Sequence, residues 1–117
     1  MKDLLALIKA ISDKNRVRLL MALRQGELCV CQLIEFIALA PSTVSKHMSV
    51  LRTANLVEAR KTGRWVYYRL SENHSDKAVM GLISWLETTL SDDPTIGLDT
   101  ERLELILKRM PTDSCID

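Results

Sequence analysis

Apolar residues recur at helical spacing from the start of the chain. Leu4, Leu5, Ile8 and Ile11 share one side of a first helix, over about residues 2–12. Ser12 or Asp13 can cap a second helix, which carries Val17, Leu20, Met21 and Leu23 and ends at Gly26. Val30, Leu33, Ile34 and Ile37 form one apolar stripe on a short third helix whose Gln32 and Glu35 face outward. Pro41 suits the first position of a fourth helix, because its fixed φ fits there and its missing N–H is not needed. That helix runs to about Asn55, with Val44, Met48 and Leu51 inward and Leu56 beyond it also facing the core.

The period then changes. Val57 to Lys61 and Arg64 to Leu70 are β-prone runs around Thr62-Gly63, which predicts a hairpin. Ser71 can cap a fifth helix over about residues 72–90, with Val79, Leu82, Ile83, Leu86 and Leu90 on its apolar side. Ser91 to Leu98 reads as a loop, because it holds Asp92-Asp93-Pro94 and Gly97. A sixth helix over about 99–110 places Leu103, Ile106, Leu107 and Met110 on one face.

The predicted fold class is mainly α with a small β-hairpin, in a single domain over residues 1–117. Helix, helix, short helix, turn, polar-faced helix and basic hairpin form the order of a winged helix-turn-helix. In that arrangement the third helix braces, the fourth enters the major groove and the hairpin wing lies along the backbone or minor groove. The DNA-reading part is then about residues 28–70.

Charge sharpens this picture. The net charge is only +1, but residues 41–70 carry six basic groups against one acid, and residues 71–117 carry ten acids against four bases. Double-stranded DNA is therefore the expected partner of the middle of the chain. The fourth helix offers Ser42, Thr43, Ser45, Lys46, His47 and Arg52 as contacts, since hydroxyls can bond bases or phosphates and cations neutralise phosphate. His47 suits either a phosphate contact or packing under the wing. Arg60, Lys61 and Arg64 on the wing add salt-sensitive affinity.

No apolar run is long enough to span a bilayer, and the first residues are patterned as an amphipathic helix rather than a leader, so a cytoplasmic location is expected. Three cysteines, two of them in Cys29-Val30-Cys31, fit reduced thiols better than structural staples. Neither histidine lies near the pair in sequence, so no nucleophile-and-base assembly is indicated and no enzyme is expected.

Three stretches carry a family resemblance: Glu27-Leu28-Cys29-Val30-Cys31-Gln32-Leu33, Val44 to Arg52, and Gly63-Arg64-Trp65-Val66-Tyr67-Tyr68-Arg69-Leu70. Together they resemble the ArsR/SmtB family of metal-responsive repressors, and within it the arsenic repressors. The resemblance implies a homodimer through the first and fifth helices, with Trp85 a candidate anchor. It also implies release from a dyad-symmetric operator when an inducer binds. A core-only role for those two helices is the alternative.

The inducer implied is trivalent arsenic or antimony on Cys29 and Cys31, because soft thiolates select soft centres over hard cations; no cofactor is otherwise required. On a helix, side chains two apart point away from each other, so the expectation is that capturing one arsenic with both sulfurs unwinds the start of the third helix. Several arsenic repressors carry a third Cys three residues after the second, where this chain has Ile34. Either water or hydroxide completes the site, or Cys115 arrives from the tail of one subunit or the other. A methylated arsenical, needing only two sulfurs, is a further alternative inducer. The rival readings are zinc or cadmium sensing and a thiol redox switch. For zinc, no Cys precedes Cys29, and Glu72 and His74 begin a ligand pattern that Trp85 and Thr88 do not complete.

Overall fold

The computed structural model describes residues 1–111. Its elements are α1 (Lys2–Ala10), α2 (Lys14–Ala22), a 3-10 turn (Leu23–Gln25), β1 (Leu28–Cys29), α3 (Val30–Ile37), α4 (Pro41–Thr53), β2 (Val57–Thr62), β3 (Trp65–Leu70), α5 (Lys77–Thr89) and α6 (Pro94–Arg109).

Local chemistry sets these boundaries. Asp13 rather than Ser12 caps α2, its carboxylate accepting the backbone N–H groups of Asn15 at 2.8 Å and Arg16 at 3.1 Å. Pro41 opens α4 as expected. The turn from α3 into α4 goes through Ala38 at φ 58°, and the exit from α4 goes through Asn55 at φ 64°. Gly63, at φ 60°, is the first residue of a two-residue turn between the paired Thr62 and Trp65.

Four expectations are corrected. The wing is part of a three-stranded antiparallel sheet in the order β1-β3-β2, because Leu28 and Cys29 pair with Tyr68 and Tyr67. The fifth helix starts at Lys77 under an Asp76 cap, not after Ser71. Ser71, Asn73 and Ser75 instead bond one another's side chains and backbone, the local competition that keeps such residues out of helices. The sixth helix starts five residues earlier than Asp99: Asp93 caps it, Pro94 is its first residue, and Gly97 lies inside it. Gln32 does not face outward but is fully buried.

The main core joins Leu19 and Leu20 of α2, Leu33 and Phe36 of α3, Val44, Met48 and Leu51 of α4, Leu56, Val79 and Ile83 of α5, and Leu103 and Ile106 of α6. α6 packs on both α2 and α3. A bidentate pair of Arg18 with Asp99, at 2.8 and 2.9 Å, ties it to α2. Arg102 donates to the carbonyls of Glu35 and Phe36 at the end of α3, satisfying acceptors that a helix terminus leaves open. No helix among the described residues is long and apolar enough to cross a membrane.

Candidate nucleic-acid interface and thiol pair

α4 buries Val44, Met48 and Leu51 and so presents its other side to solvent. Ser42, Ser45, Lys46 and Arg52 are exposed there, and Thr43 and His47 are half-buried. His47 Nδ1 lies 3.3 Å from Arg16 Nη1 on α2. Arg16 also donates to the carbonyls of Lys9 and Ala10, so this contact helps fix α4 against the α1–α2 junction.

On the wing, Lys61 and Arg64 are exposed near the turn, Arg64 lying 5.8 Å over the Trp65 ring. Arg60 stands apart from them. Its guanidinium is held by the Glu27 carboxylate at 2.7 to 3.0 Å and stacks 4.4 Å over the Tyr67 ring. Arg69 is paired with Glu58. These acceptors draw two of the wing's cations into the sheet, and Lys61 and Arg64 project from its tip.

The thiol pair sits where β1 becomes α3. Cys29 has φ −72° and ψ 148°, so it is extended and is the N-cap of α3 rather than a helical residue. The expectation that the two side chains point away from each other on a helix is therefore wrong: Cys29 Sγ and Cys31 Sγ converge to 2.8 Å. An extended residue followed by the first helical turn brings positions i and i+2 to one side. Cys29 is also fully buried, in a small cluster with Tyr67 that Val30, Cys31 and Trp65 complete. It is a free thiol, whereas Cys31 is disulfide-bonded, so reduced thiols throughout is not what the structure holds. Burial pushes the Cys29 thiol above its ordinary pKa, against a smaller opposing effect of backbone N–H groups from Cys31 and Gln32. Cys115 lies outside the described residues.

Gln32 is the residue beside the thiol pair that periodicity misplaces. Cys29 Sγ accepts the Gln32 backbone N–H, and Gln32 Oε1 accepts the Cys29 N–H at 2.8 Å, which is a capping box with sulfur in place of a hydroxyl. The spacing Cys29-x-x-Gln32 was the available signal. Gln32 Nε2 then donates to the carbonyl of Met110, at the end of α6, at 2.8 Å.

Among the described residues no group of three or more His, Cys, Asp or Glu side chains could hold a metal ion. Glu72 and His74 fall in the exposed loop before α5. The predicted dimer helices leave Leu4 and Leu5, 52% and 56% exposed, with Ile8 at 52% and Trp85 at 57%.

Known proteins agree with this architecture. Residues 13–59 match the profile of the bacterial regulatory protein, arsR family. A transcriptional repressor SmtB homolog of Synechocystis is 45% identical over 65 residues, 56% of this chain and 49% of that protein, so the chain spans about half of that relative's length. The arsenical resistance operon repressor of Staphylococcus aureus is 36% identical over 81 residues, covering 69% of this chain and 78% of that protein. Among solved structures, the homodimeric winged helix-turn-helix DNA-binding domain Mb0332 of Mycobacterium bovis superposes with a TM-score of 0.64 at 25% identity, covering 78% of this chain and 81% of that one. A profile match over the helices that present α4, together with a relative matched over most of its length, assigns the chain: it belongs to the ArsR family of bacterial transcriptional regulators.

Proposed function

We propose that this regulator is a dimeric repressor that leaves its operator when trivalent arsenic or antimony binds Cys29 and Cys31. The observation that carries the reading is the convergence of the two sulfurs at 2.8 Å beside a buried Cys29. Arsenite is neutral and exchanges hydroxide for thiol without net proton release: two As–O bonds break, two As–S bonds form and two waters leave. A divalent cation must instead expel the protons of its thiol ligands, which the raised Cys29 pKa opposes. Zinc would also need four ligands, more than this pair supplies.

Because the sulfurs already converge, the proposed switch needs no unwinding of α3. Arsenic drawn onto Cys29 Sγ competes with the Gln32 N–H for the same sulfur, which uncaps the helix that packs against α4. DNA contact is assigned to Ser42, Thr43, Ser45, Lys46 and Arg52 on α4 and to Lys61 and Arg64 at the wing tip, with Arg60 and His47 positioning them. Dimerisation through α1 and α5 would cover Leu4, Leu5, Ile8 and Trp85, as homodimer formation in Mb0332 supports.

The test is operator release by reduced protein, titrated with arsenite, cadmium, zinc and peroxide in parallel. Arsenite should release the wild type, and a Cys29→Ser, Cys31→Ser double variant should stay bound. Release of the double variant by arsenite would sink the reading. The oxidised Cys31 favours one second reading, a thiol redox switch, which peroxide-driven release without an arsenite response would establish.

A further inference from the structure

We propose that His47 contacts the operator itself: its Nε2–H donates to a backbone phosphate, and Arg16 orients the ring so that this nitrogen carries the hydrogen. His47 thereby does more than hold α4 in position. The inference concerns DNA binding alone and does not depend on which inducer the protein answers to.

The ring is set from the junction of α1 and α2. Arg16 Nε donates to the carbonyl of Ala10 at 2.9 Å, and Nη2 donates to that of Lys9 at 3.0 Å. Carbonyls in the last turn of a helix lack intrahelical donors, so these two bonds suit the end of α1 and hold the planar guanidinium in one orientation. Its third nitrogen, Nη1, meets His47 Nδ1 at 3.3 Å. A guanidinium offers donors and no acceptor, so Nδ1 is the acceptor of this pair and the ring hydrogen sits on Nε2.

That hydrogen is left for something outside the chain. His47 is half-buried on α4. Its only bond among the described residues is the one through Nδ1, and Nε2 is not one of the buried side-chain atoms that lack a partner, so Nε2 opens to solvent. Thr43, four residues earlier, shares this side of the helix. A donor held at a fixed angle beside the DNA-reading face is what a positioning contact requires.

The surroundings select phosphate over a base edge. Ser42, Ser45 and Lys46 are exposed on the outward side of α4, the side that would meet bases, whereas His47 lies on the flank turned to α2. Lys9 and Lys14 are exposed at the neighbouring junction. The acid there, Asp13, already accepts the backbone N–H groups of Asn15 and Arg16 as the cap of α2. Two cations and an outward N–H, with the carboxylate occupied, fit an anionic acceptor. Because the ring pairs with Arg16 through a lone pair, it enters the contact uncharged: it adds direction to the binding and releases no counterion.

Two substitutions separate the two ring nitrogens. His47→Asn keeps an acceptor near the Nδ1 position and loses the outer donor, and His47→Gln reaches the Nε2 position with a donor and loses the acceptor for Arg16. The probe is a duplex selected from random sequence by the purified wild type, read by fluorescence anisotropy, with thermal midpoints checked for folding. His47→Asn should bind about tenfold more weakly or worse at an unchanged salt slope, and His47→Gln should lie between it and the wild type. A methylphosphonate moved along each strand should weaken the wild type at one phosphate per half-site where it no longer weakens His47→Asn. Binding of His47→Asn within about twofold of wild type, or His47→Gln binding more weakly than His47→Asn, would reduce His47 to a tie for α4 and overturn the proposal. A salt slope lower by about 1 in His47→Asn would also overturn it, since that is the mark of a charged contact. So would methylphosphonate penalties equal in wild type and variant at every position, which would move Nε2 to a base edge.

Discussion

Asp99→Ala isolates what the docking of α6 contributes. Asp99 meets Arg18 through two parallel bonds, Nε to Oδ2 at 2.8 Å and Nη2 to Oδ1 at 2.9 Å. The side chains are 22% and 12% exposed. Exposed ion pairs are worth about 0.2–1 kcal/mol, and removing one partner of a fully buried pair costs about 3–5 kcal/mol. This pair lies nearer the buried limit, but Arg18 keeps a bond to Asn15 Oδ1 at 3.0 Å and a Phe36 ring at 5.9 Å, which limits the damage. The expected loss is about 2–3 kcal/mol, most of it the cost of stranding the Arg18 charge. Replacing both partners, in Arg18→Met with Asp99→Leu, should restore stability to within about 1 kcal/mol of the wild type. Urea unfolding at one fixed protein concentration measures all three variants, since dimerisation would make the midpoint concentration-dependent. A double variant as unstable as Asp99→Ala would refute the stranded-charge explanation, and a single variant within about 0.5 kcal/mol of wild type would refute the pair's importance. Operator affinity should change little, because no α4 or wing contact is lost.

Other expectations are read by simpler assays. Between pH 6.5 and 8.5, cadmium affinity should climb by about tenfold per pH unit for each thiol proton expelled, while arsenite affinity stays within about twofold; isothermal titration distinguishes the two slopes. Asp13→Ala should cost about 1 kcal/mol of stability in thermal unfolding at neutral pH. The Arg16 backbone N–H above all, opposed by burial, holds the Asp13 carboxyl below its ordinary 3.8, so its stabilisation is complete above that value and is lost as acid takes the pH down through the folded pKa. The Asp13→Ala penalty should therefore shrink in acid, and a penalty independent of pH would refute the charged cap. Lys61→Ala should weaken operator binding and lower the salt slope by about 1 in fluorescence anisotropy. Arg60→Ala should move that slope less, because Glu27 already neutralises the guanidinium.

Most of the architecture was legible because it follows from periodicity. The stripe of α4, its Pro41 start and the Gly63 turn all stand where the pattern places them. The misses share a cause, which is that side-chain chemistry outranked periodicity at element ends. Asp93-Pro94 reads as a loop from composition alone, yet an Asp cap followed by Pro at the first helical position is a helix start. Ser71 offers a cap, but Asn73 and Ser75 take its surroundings into a local turn. β1 was invisible because two residues are too few to show alternation; its pairing is set by β3, which no local window contains. The thiol pair was recognised by residue type and spacing, but its geometry was misread for the same reason: Cys29 was placed on a helical wheel although it belongs to the strand before it.

That displacement by one residue changes what the proposed switch has to accomplish. Cys29 has two structural attachments: its backbone pairs with Tyr67 of β3, and its sulfur caps α3. Arsenic competes only for the sulfur, so the backbone ladder with Tyr67 can survive binding. A lost N-cap is worth about 0.5–2 kcal/mol, and a thiol in place of a hydroxyl belongs at the lower end. At about 1.4 kcal/mol per factor of ten, uncapping alone weakens operator binding about tenfold or less. Coupling beyond that must pass through what the sulfur touches, which is Tyr67 in the small cluster and, stacked on it, the Arg60 that Glu27 holds to the wing. Tyr67→Leu should preserve the ladder and the cap while removing the stacked ring, and so reduce arsenite-driven release to the cap's share. Release by the Tyr67→Leu variant with an unchanged arsenite response would confine the switch to α3 and remove the wing from it.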